Sequence, residues 1–295
     1  MVLFLYHQSN IDNAISIIKE GKLLSRAAAV QRHLLKTDSA SPSVISKTND
    51  RWKHYARLYF RPHNPTFYHV EGFRHAHEYT HGSKCPLPVM FLFNIEKVLC
   101  HESAQFSSGN LARSGVAIRS SFKDFEQLPF AKIYHEGPIL TDSDQIIFHR
   151  NAEVIFPGAL PLTGFLEQIV CRSAAERDTL LFLLNKESIM PDWQVNVDQA
   201  NALFIKNWLH IARVRLSASE IEVELSQRAN GLPIKVFCAA EGQNPSFELP
   251  SNFAEKHFQI KFQPTSTYTV QIFIAGDLAY ANEFFESDES VDLPF

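Results

Sequence analysis

One carboxylate in this sequence stands among apolar residues, where a fixed negative charge can do chemistry. Glu153 lies between Ala152 and Val154, and the run from Ala152 to Phe156 predicts the start of a strand. Because side chains alternate along a strand, Ala152, Val154 and Phe156 share one face, and Glu153 points to the other face with Ile155. A carboxylate held in this way can stabilise a developing positive charge. The alternative is an edge-strand glutamate that faces solvent.

The amino-terminal segment places polar side chains at the junction of a strand and a helix. Residues 3–7 predict a buried strand that ends in Tyr6-His7, and Asn10 can cap the helix that follows. His7 at the strand end, with Ser9 and Asn13 near the helix start, would form the polar edge of a pocket. The alternative for His7 is a packed core histidine.

Aromatic and basic residues alternate over residues 52–68, around a predicted strand at 56–60. In a groove for unpaired nucleic acid, arginines contact phosphates and aromatic rings stack on bases. Arg57, Arg61 and Tyr68 are therefore candidate nucleic-acid contacts. A half-buried strand with arginines on its solvent face would show the same pattern.

The segment before it, residues 36–50, is rich in small polar residues. This composition is typical of a loop. We predict either a loop that closes over a ligand or a plain surface connection.

A zinc-binding pattern, H-E-x-x-H, spans His77, Glu78 and His81. In metallopeptidases this motif lies within a helix, where the two histidines bind zinc and the glutamate acts as base. Gly82 and Pro86 follow at once, which disfavours a stable helix. We therefore predict a solvated polar turn without a metal, and keep a zinc metallopeptidase as the alternative.

Helices and strands alternate irregularly up to about residue 208. Residues 130–144 are predicted to form a loop, Ser173 caps a predicted helix over 174–185, and a further helix is predicted over 197–209. A mixed domain of residues 1–208 follows from this pattern.

The remaining part, residues 209–295, has a different pattern of apolar and polar residues. Short alternating apolar runs are separated by clusters of Gly, Pro, Asn and Ser. Regular short strands of this kind predict a small β-sandwich. It contains no catalytic constellation, so we assign it as an accessory domain of unknown role.

The composition argues against a membrane-spanning protein, a secreted protein and a protein built on disulfides or zinc. The 295 residues are 45% hydrophobic and 20% charged, and no apolar run has the length of a membrane span. The first residues lack a basic leader and a cleavage site, which predicts a cytoplasmic protein without membrane partners. The four cysteines have no CxxC spacing, and the net charge of −4 leaves only local basic patches for phosphate contacts.

Four segments, residues 5–24, 55–68, 106–112 and 150–155, follow one another in a characteristic order and spacing. Together they resemble the DarT family, over about residues 3–180. The members of this family are the toxins of DarTG toxin–antitoxin systems, which transfer ADP-ribose from NAD onto bases of single-stranded DNA.

The resemblance implies an α+β fold, the ADP-ribosyltransferase-like split β-sandwich with helices, in which two packed sheets hold NAD in a cleft. On this pattern His7 holds the adenosine ribose, and Ser9 and Asn13 seat the rest of the nucleotide. Tyr59 lines the nicotinamide pocket, and Glu153 is the catalytic carboxylate.

The resemblance also implies an arginine that contacts a phosphate or a base. We assign Arg51, with Arg26 and Arg57 as competitors, and we assign Arg150 to nucleic-acid contact. The implied partners are NAD as co-substrate, single-stranded nucleic acid with DNA favoured over RNA, and an antitoxin protein.

Three departures from the family pattern leave the target open. Ser9 replaces the usual Thr, residues 56–60 read Ala-Arg-Leu-Tyr-Phe instead of Val-Pro-Phe-Tyr-Phe, and residues 106–109 read Phe-Ser-Ser-Gly instead of Phe-Thr-Asp-Gly. The alternatives are ADP-ribosylation of RNA or protein, the zinc peptidase, and a non-catalytic nucleic-acid-binding module.

Overall fold

The structure, a computed structural model, describes residues 4–79, 82–240 and 245–286. Its first part contains β1 (Phe4–Asn10), α1 (Ile11–Glu20), β2 (Lys22–Leu24), α2 (Arg26–Gln31), α3 (Pro42–Lys47), β3 (Tyr55–Tyr59), α4 (Pro65–Val70), β4 (Pro88–Asn94), α5 (Ile95–Leu99), β5 (Gln105–Ser107), β6 (Ile118–Arg119), α6 (Phe122–Glu126), α7 (Phe130–Ile133), α8 (Ser143–Arg150), β7 (Glu153–Pro157), β8 (Ala159–Pro161), β9 (Leu166–Cys171), α9 (Ala174–Lys186) and β10 (Val195–Val197). Two short 3₁₀ helices, Asp50–His54 and Ala76–Glu78, lie within the same part.

Eight of these strands form one sheet, in the order β10-β9-β4-β1-β3-β7-β5-β6. Strand β1 pairs with β4 along its whole length, but it pairs with β3 only at Tyr6 and Tyr59. The two strands separate beyond this pair, so the sheet is divided into two halves. These halves correspond to the two sheets that the family resemblance implies.

The core lies on both faces of this sheet. Residues 88–93 of β4 are buried, as expected for a central strand. Helix α1 covers one face with Ile11, Ile15 and Ile18, and it is followed by Gly21, whose positive φ is favourable for glycine. Asn10 occupies the N-cap position of α1 as predicted, but its side chain makes no capping hydrogen bond. Ser173 caps α9 as predicted, by accepting from the N–H of Glu176.

The helix predicted over residues 197–209 is wrong. After β10 the chain is irregular, because carboxylates take the backbone N–H groups that a helix would use. Asp198 accepts from the N–H groups of Ala202 and Leu203, at 3.0 and 3.2 Å. The buried Glu71 accepts from those of residues 205 and 206, both at 3.0 Å.

The loop predicted at residues 130–144 contains α7 and leads into α8. Within the described ranges no helix combines the length and the apolar character needed to cross a bilayer.

The carboxyl-terminal part contains β11 (Ile211–Ser217), β12 (Glu220–Leu225), β13 (Ile234–Ala240), β14 (Ser246–Glu248), β15 (His257–Lys261), β16 (Thr267–Ile274) and β17 (Asp277–Phe285). They form two sheets, β11-β12-β15 and β14-β13-β16-β17. The hydroxyl of Tyr268 donates to the carbonyl of Ser217 at 2.9 Å and joins the two sheets, as in the predicted sandwich.

This β region packs against helix α9 of the first part. The N–H of Ala281 donates to Thr179 Oγ1 at 3.1 Å, and the Ser173 hydroxyl donates to the carbonyl of Ile211 at 2.7 Å. One continuous apolar core extends through both parts.

Candidate active site

A cavity of about 270 Å³ opens where β1 separates from β3. His7 and Ser9 of β1, Asn13 of α1 and Tyr59 of β3 line it, and residues 34–40 form much of another wall. The structure therefore brings together the four residues assigned to NAD.

His7 presents a defined hydrogen-bonding face to this cavity. Its Nδ1 lies 3.0 Å from the backbone carbonyl oxygen of Arg57. A carbonyl can only accept, so Nδ1 carries the proton and Nε2 is left as an acceptor. Burial lowers the pKa of His7 to about 4, partly opposed by this hydrogen bond, so the ring is neutral at pH 7. A neutral Nε2 can accept from a ribose hydroxyl.

Asn13 fixes the wall formed by residues 34–40. Its side-chain oxygen accepts from the backbone N–H groups of Lys36 and Thr37, at 2.7 and 3.2 Å, and its amide donates to the carbonyl of Thr37 at 2.5 Å. The segment predicted to close over a ligand is thus attached to α1, next to the buried Ser9.

Glu153 is the first residue of β7 and is buried, with 1% of its surface exposed. Its Oε1 accepts from the N–H of Leu111 at 3.3 Å, and its own N–H donates to Ser107 Oγ at 3.4 Å. Its Oε2 has no hydrogen-bond partner but lies 3.4 Å from Nη1 of Arg57. Burial raises the pKa of Glu153, and the Arg57 charge and the Leu111 N–H oppose this rise.

The turn after β5 directs the Leu111 N–H at Glu153. Ser107 Oγ donates to the carbonyl of Gly109 at 2.7 Å, and the N–H of Asn110 donates to the carbonyl of Phe148 at 3.2 Å. A Cβ at Gly109 would lie 2.4 Å from the Phe148 ring, so glycine permits this close approach. The sequence pattern at residues 106–112 signalled the turn, but not the contacts that Ser107 and Leu111 make with Glu153.

Tyr59 lies beside the same carboxylate. Its ring packs edge-on against Phe67, with 5.6 Å between the ring centroids. Burial and then the charge of Glu153 raise the pKa of Tyr59, so its phenol stays protonated.

The three competing arginines occupy different places. Arg51 is exposed, stacks on Trp52 at 4.9 Å and does not border the cavity. Arg26 borders the cavity and is paired with Asp38. Arg57 borders the cavity and contacts Glu153. The structure therefore brings Arg57, and not Arg51, to the carboxylate.

The other predicted nucleic-acid contacts lie apart from the cavity. Arg61 is buried, and its Nη1 donates to the carbonyls of Ile133 and His135, at 3.3 and 2.6 Å. Arg150 donates to the carbonyl of His135 at 3.0 Å. Tyr68 is 47% exposed. The two guanidinium groups hold the segment after α7.

The zinc motif is described only in part, because His81 lies outside the described residues. His77 and Glu78 lie in the 3₁₀ helix Ala76–Glu78, and the Glu78 carboxylate accepts from the N–H of His75 at 2.9 Å. In the described parts of the chain no group of three or more metal-ligating side chains is placed to hold an ion.

Solved structures that resemble this chain include DarT proteins. Thermus sp. 2.9 DarT in complex with NAD+ matches with a TM-score of 0.52 and 16% identity, over 68% of this chain and 96% of the Thermus chain. Thermosipho africanus DarTG in complex with ADP-ribose matches with a TM-score of 0.54 and 17% identity, over 72% of this chain and 53% of the DarTG chain. At these identities the similarity establishes the fold. No curated protein sequence matched.

The family-level match is to the sequence itself. The family model described as "ssDNA thymidine ADP-ribosyltransferase, DarT" matches residues 6–204, which include His7, Tyr59 and Glu153. This match covers more than half of the chain. The chain therefore belongs to the DarT family of single-stranded-DNA thymidine ADP-ribosyltransferases.

Proposed function

We propose that the cavity holds NAD and that the chain transfers ADP-ribose to thymidine in single-stranded DNA, with His7 as a ribose-binding residue and Glu153 as the catalytic carboxylate. The observation that carries this proposal is that both groups meet at one residue. His7 Nδ1 is bonded to the backbone carbonyl of Arg57, and Glu153 Oε2 lies 3.4 Å from the Arg57 guanidinium.

The chemistry explains why a buried carboxylate is needed. When the bond between the ribose C1′ and the nicotinamide nitrogen breaks, its electron pair leaves with nicotinamide and positive charge develops on the ribose. A fixed carboxylate that accepts from the ribose 2′-hydroxyl stabilises this charge. The thymine base then supplies the electron pair for the new bond to C1′, and its displaced N–H proton passes to water. Glu153 Oε2, without a hydrogen-bond partner, is suited to this role.

Ser9 and Asn13 form the nucleotide end of the cavity, and Tyr59 forms the wall next to Glu153. The phenol of Tyr59 stays neutral beside Glu153, so it adds no second negative charge to the site. We place Arg57 beside the reacting groups in preference to Arg51, because Arg57 borders the cavity and contacts Glu153.

We further propose that the enzyme is cytoplasmic, because NAD and single-stranded DNA are found together in that compartment, and cell fractionation tests this location. We also propose that it is a toxin with a protein antitoxin, which co-purification with the product of a neighbouring gene tests.

We propose that residues 1–208 are the transferase domain and that residues 209–295 are an accessory domain.

The decisive experiment incubates the chain with labelled NAD and five separate acceptors. These are single-stranded DNA with thymidine, the same DNA without thymidine, duplex DNA, RNA and protein. We expect only thymidine-containing single-stranded DNA to retain label. Label on RNA or protein contradicts the assigned acceptor. No label, together with no thermal shift on adding NAD, favours a non-catalytic module.

Glu153→Gln tests the assigned carboxylate in the same assay. We expect transfer to fall by about 100-fold or more, because one missing charge-stabilising group has effects of this size. Glu222→Gln is the matched control, since Glu222 pairs with Arg215 on the carboxyl-terminal sheet. Retained transfer by Glu153→Gln removes Glu153 from the mechanism.

A further inference from the structure

Arg57 borders the cavity, whereas Glu153 does not. The Arg57 side chain is 25% exposed and the Glu153 side chain 2%, and 3.4 Å separates Nη1 of the one from Oε2 of the other. Arg57 and Tyr59 of β3 line the cavity, and Tyr59 pairs with Glu153 in the register of β3 and β7. Arg57 therefore borders the cavity and contacts the buried carboxylate at the same time.

The contact between Arg57 and Glu153 is an ion pair without a hydrogen bond. At 3.4 Å the guanidinium supplies charge to Oε2 while leaving that oxygen's acceptor capacity unused. Oε1 is likewise held by one long contact, from the Leu111 N–H at 3.3 Å. The carboxylate is thus oriented from two sides and can still accept a shorter hydrogen bond from a substrate.

We propose that Arg57 is a positioning residue for the transfer, which fixes the Glu153 carboxylate beside the cavity and leaves its Oε2 able to accept from a ribose hydroxyl. This inference rests on the proposed function of the same site. It assigns Arg57 to the carboxylate instead of to a nucleic-acid phosphate.

The groups around Glu153 explain why a cation is needed there. Strand β3 presents Arg57 and Tyr59, and β5 with its following turn presents the Ser107 hydroxyl and the Leu111 N–H. Tyr59 stays protonated, so Arg57 supplies the positive charge among these described neighbours. Burial favours the protonated carboxyl of Glu153, which cannot stabilise a ribosyl cation, and Arg57 opposes that effect.

The test compares Arg57→Gln with Arg57→Lys and follows kcat/KM for NAD as a function of pH. We expect the acid limb of the Arg57→Gln profile to move up by about one pH unit or more, since a nearby opposite charge shifts a carboxyl pKa by this amount. The lysine variant should keep the limb within a few tenths of a unit. The dissociation constant for NAD should change by less than about threefold in both variants.

Arg215→Gln is the matched control, because Arg215 pairs with Glu222 at 3.3 Å on the carboxyl-terminal sheet, and its profile should equal that of the unsubstituted chain. The proposal is overturned if the acid limb of the Arg57→Gln profile stays in place. It is also overturned if the whole decrease in kcat/KM comes from weaker binding of NAD or DNA. If the glutamine variant does not fold, a shifted limb in Arg57→Lys overturns it instead.

Failure of the proposed function gives a different result. In that case the unsubstituted chain labels no nucleic acid, and the positioning role falls with it. An active unsubstituted chain with unchanged Arg57 profiles removes the positioning role alone.

Discussion

Tyr59 and Glu153 lie directly opposite each other in the antiparallel pair formed by β3 and β7. Tyr59 is also the residue that joins β3 to β1, through its pair with Tyr6. The same residue, Tyr59, therefore marks the point where the sheet divides and fixes the position of the buried carboxylate in the strand register. A shift of β3 by one residue would move Tyr59 to the opposite face and separate the carboxylate from the cavity.

We predict that Glu153→Gln stabilises the fold while it abolishes transfer. Burial raises the pKa of Glu153, so the ionised form is disfavoured in the folded state. Above that pKa the unsubstituted chain buries an ionised carboxylate and bears the full free-energy cost of its desolvation. The neutral amide of glutamine removes this cost. The free energy of unfolding should rise by about 1 kcal/mol at pH 8.

The gain should shrink as the pH falls through the pKa of the folded carboxyl, because the native side chain then becomes neutral as well. Urea denaturation of the unsubstituted chain and of Glu153→Gln at several pH values measures this difference in the free energy of unfolding. A loss of stability at every pH would mean that the pair with Arg57 outweighs the cost of burial.

The tautomer of His7 gives a second prediction. His7→Ala removes the Nε2 acceptor, and the affinity for NAD should fall by about tenfold, the value of one hydrogen bond. Because the pKa of His7 is about 4, the ring stays neutral well below pH 6.5. The ratio of the NAD affinity of the unsubstituted chain to that of His7→Ala should therefore be constant from pH 8 to about pH 5.5.

Calorimetric titration with NAD in the absence of nucleic acid measures this ratio. His257→Ala, on the exposed face of β15, is the control. A ratio that declines around pH 6.5 would show that an ordinary, solvated histidine binds the ribose.

How far the sequence predicted this site depends on how local each feature is. His7 and Glu153 each lie at one end of a strand that its own residues specify, so they were identifiable from the pattern. The Arg57 and Leu111 contacts with Glu153 depend on the pairing of β3 and β5 with β7. No short stretch of sequence encodes such pairing, so the sequence pattern by itself predicts a nucleic-acid contact for Arg57.

The same reason explains the wrong helix. Residues 197–209 have a helical pattern, but the carboxylate of Glu71 lies more than a hundred residues away in the chain and accepts two of their N–H groups. The buried Arg172 holds that carboxylate in place, at 3.3 Å. A tertiary contact thus overrides the local preference.

The position of Arg61 leads to a third prediction. Its guanidinium donates to two backbone carbonyls next to α7, so Arg61→Gln leaves buried acceptors unpaired. We expect a loss of about 1–3 kcal/mol in the free energy of unfolding. The dependence of single-stranded DNA affinity on salt should not change, because no phosphate contact is lost.

Arg213→Gln, at an exposed position of β11, is the control for the removed charge. A salt slope reduced by about one, with unchanged stability, would instead support the nucleic-acid contact predicted from the sequence.

The contacts of α9 lead to the last prediction, which concerns the boundary at residue 208. Strand β17 bonds to Thr179, β11 bonds to Ser173, and the apolar core continues from α9 into the β region. A chain that ends at residue 208 exposes this face of α9, so it should unfold at a lower temperature than the full chain and bind an apolar dye. Thermal unfolding with dye fluorescence measures both effects, and Thr179→Val in the full chain controls for the single lost hydrogen bond. If the shortened chain unfolds cooperatively at the same temperature and still transfers ADP-ribose, the β region is a separate module, and the continuous core is only a contact between two independent folds.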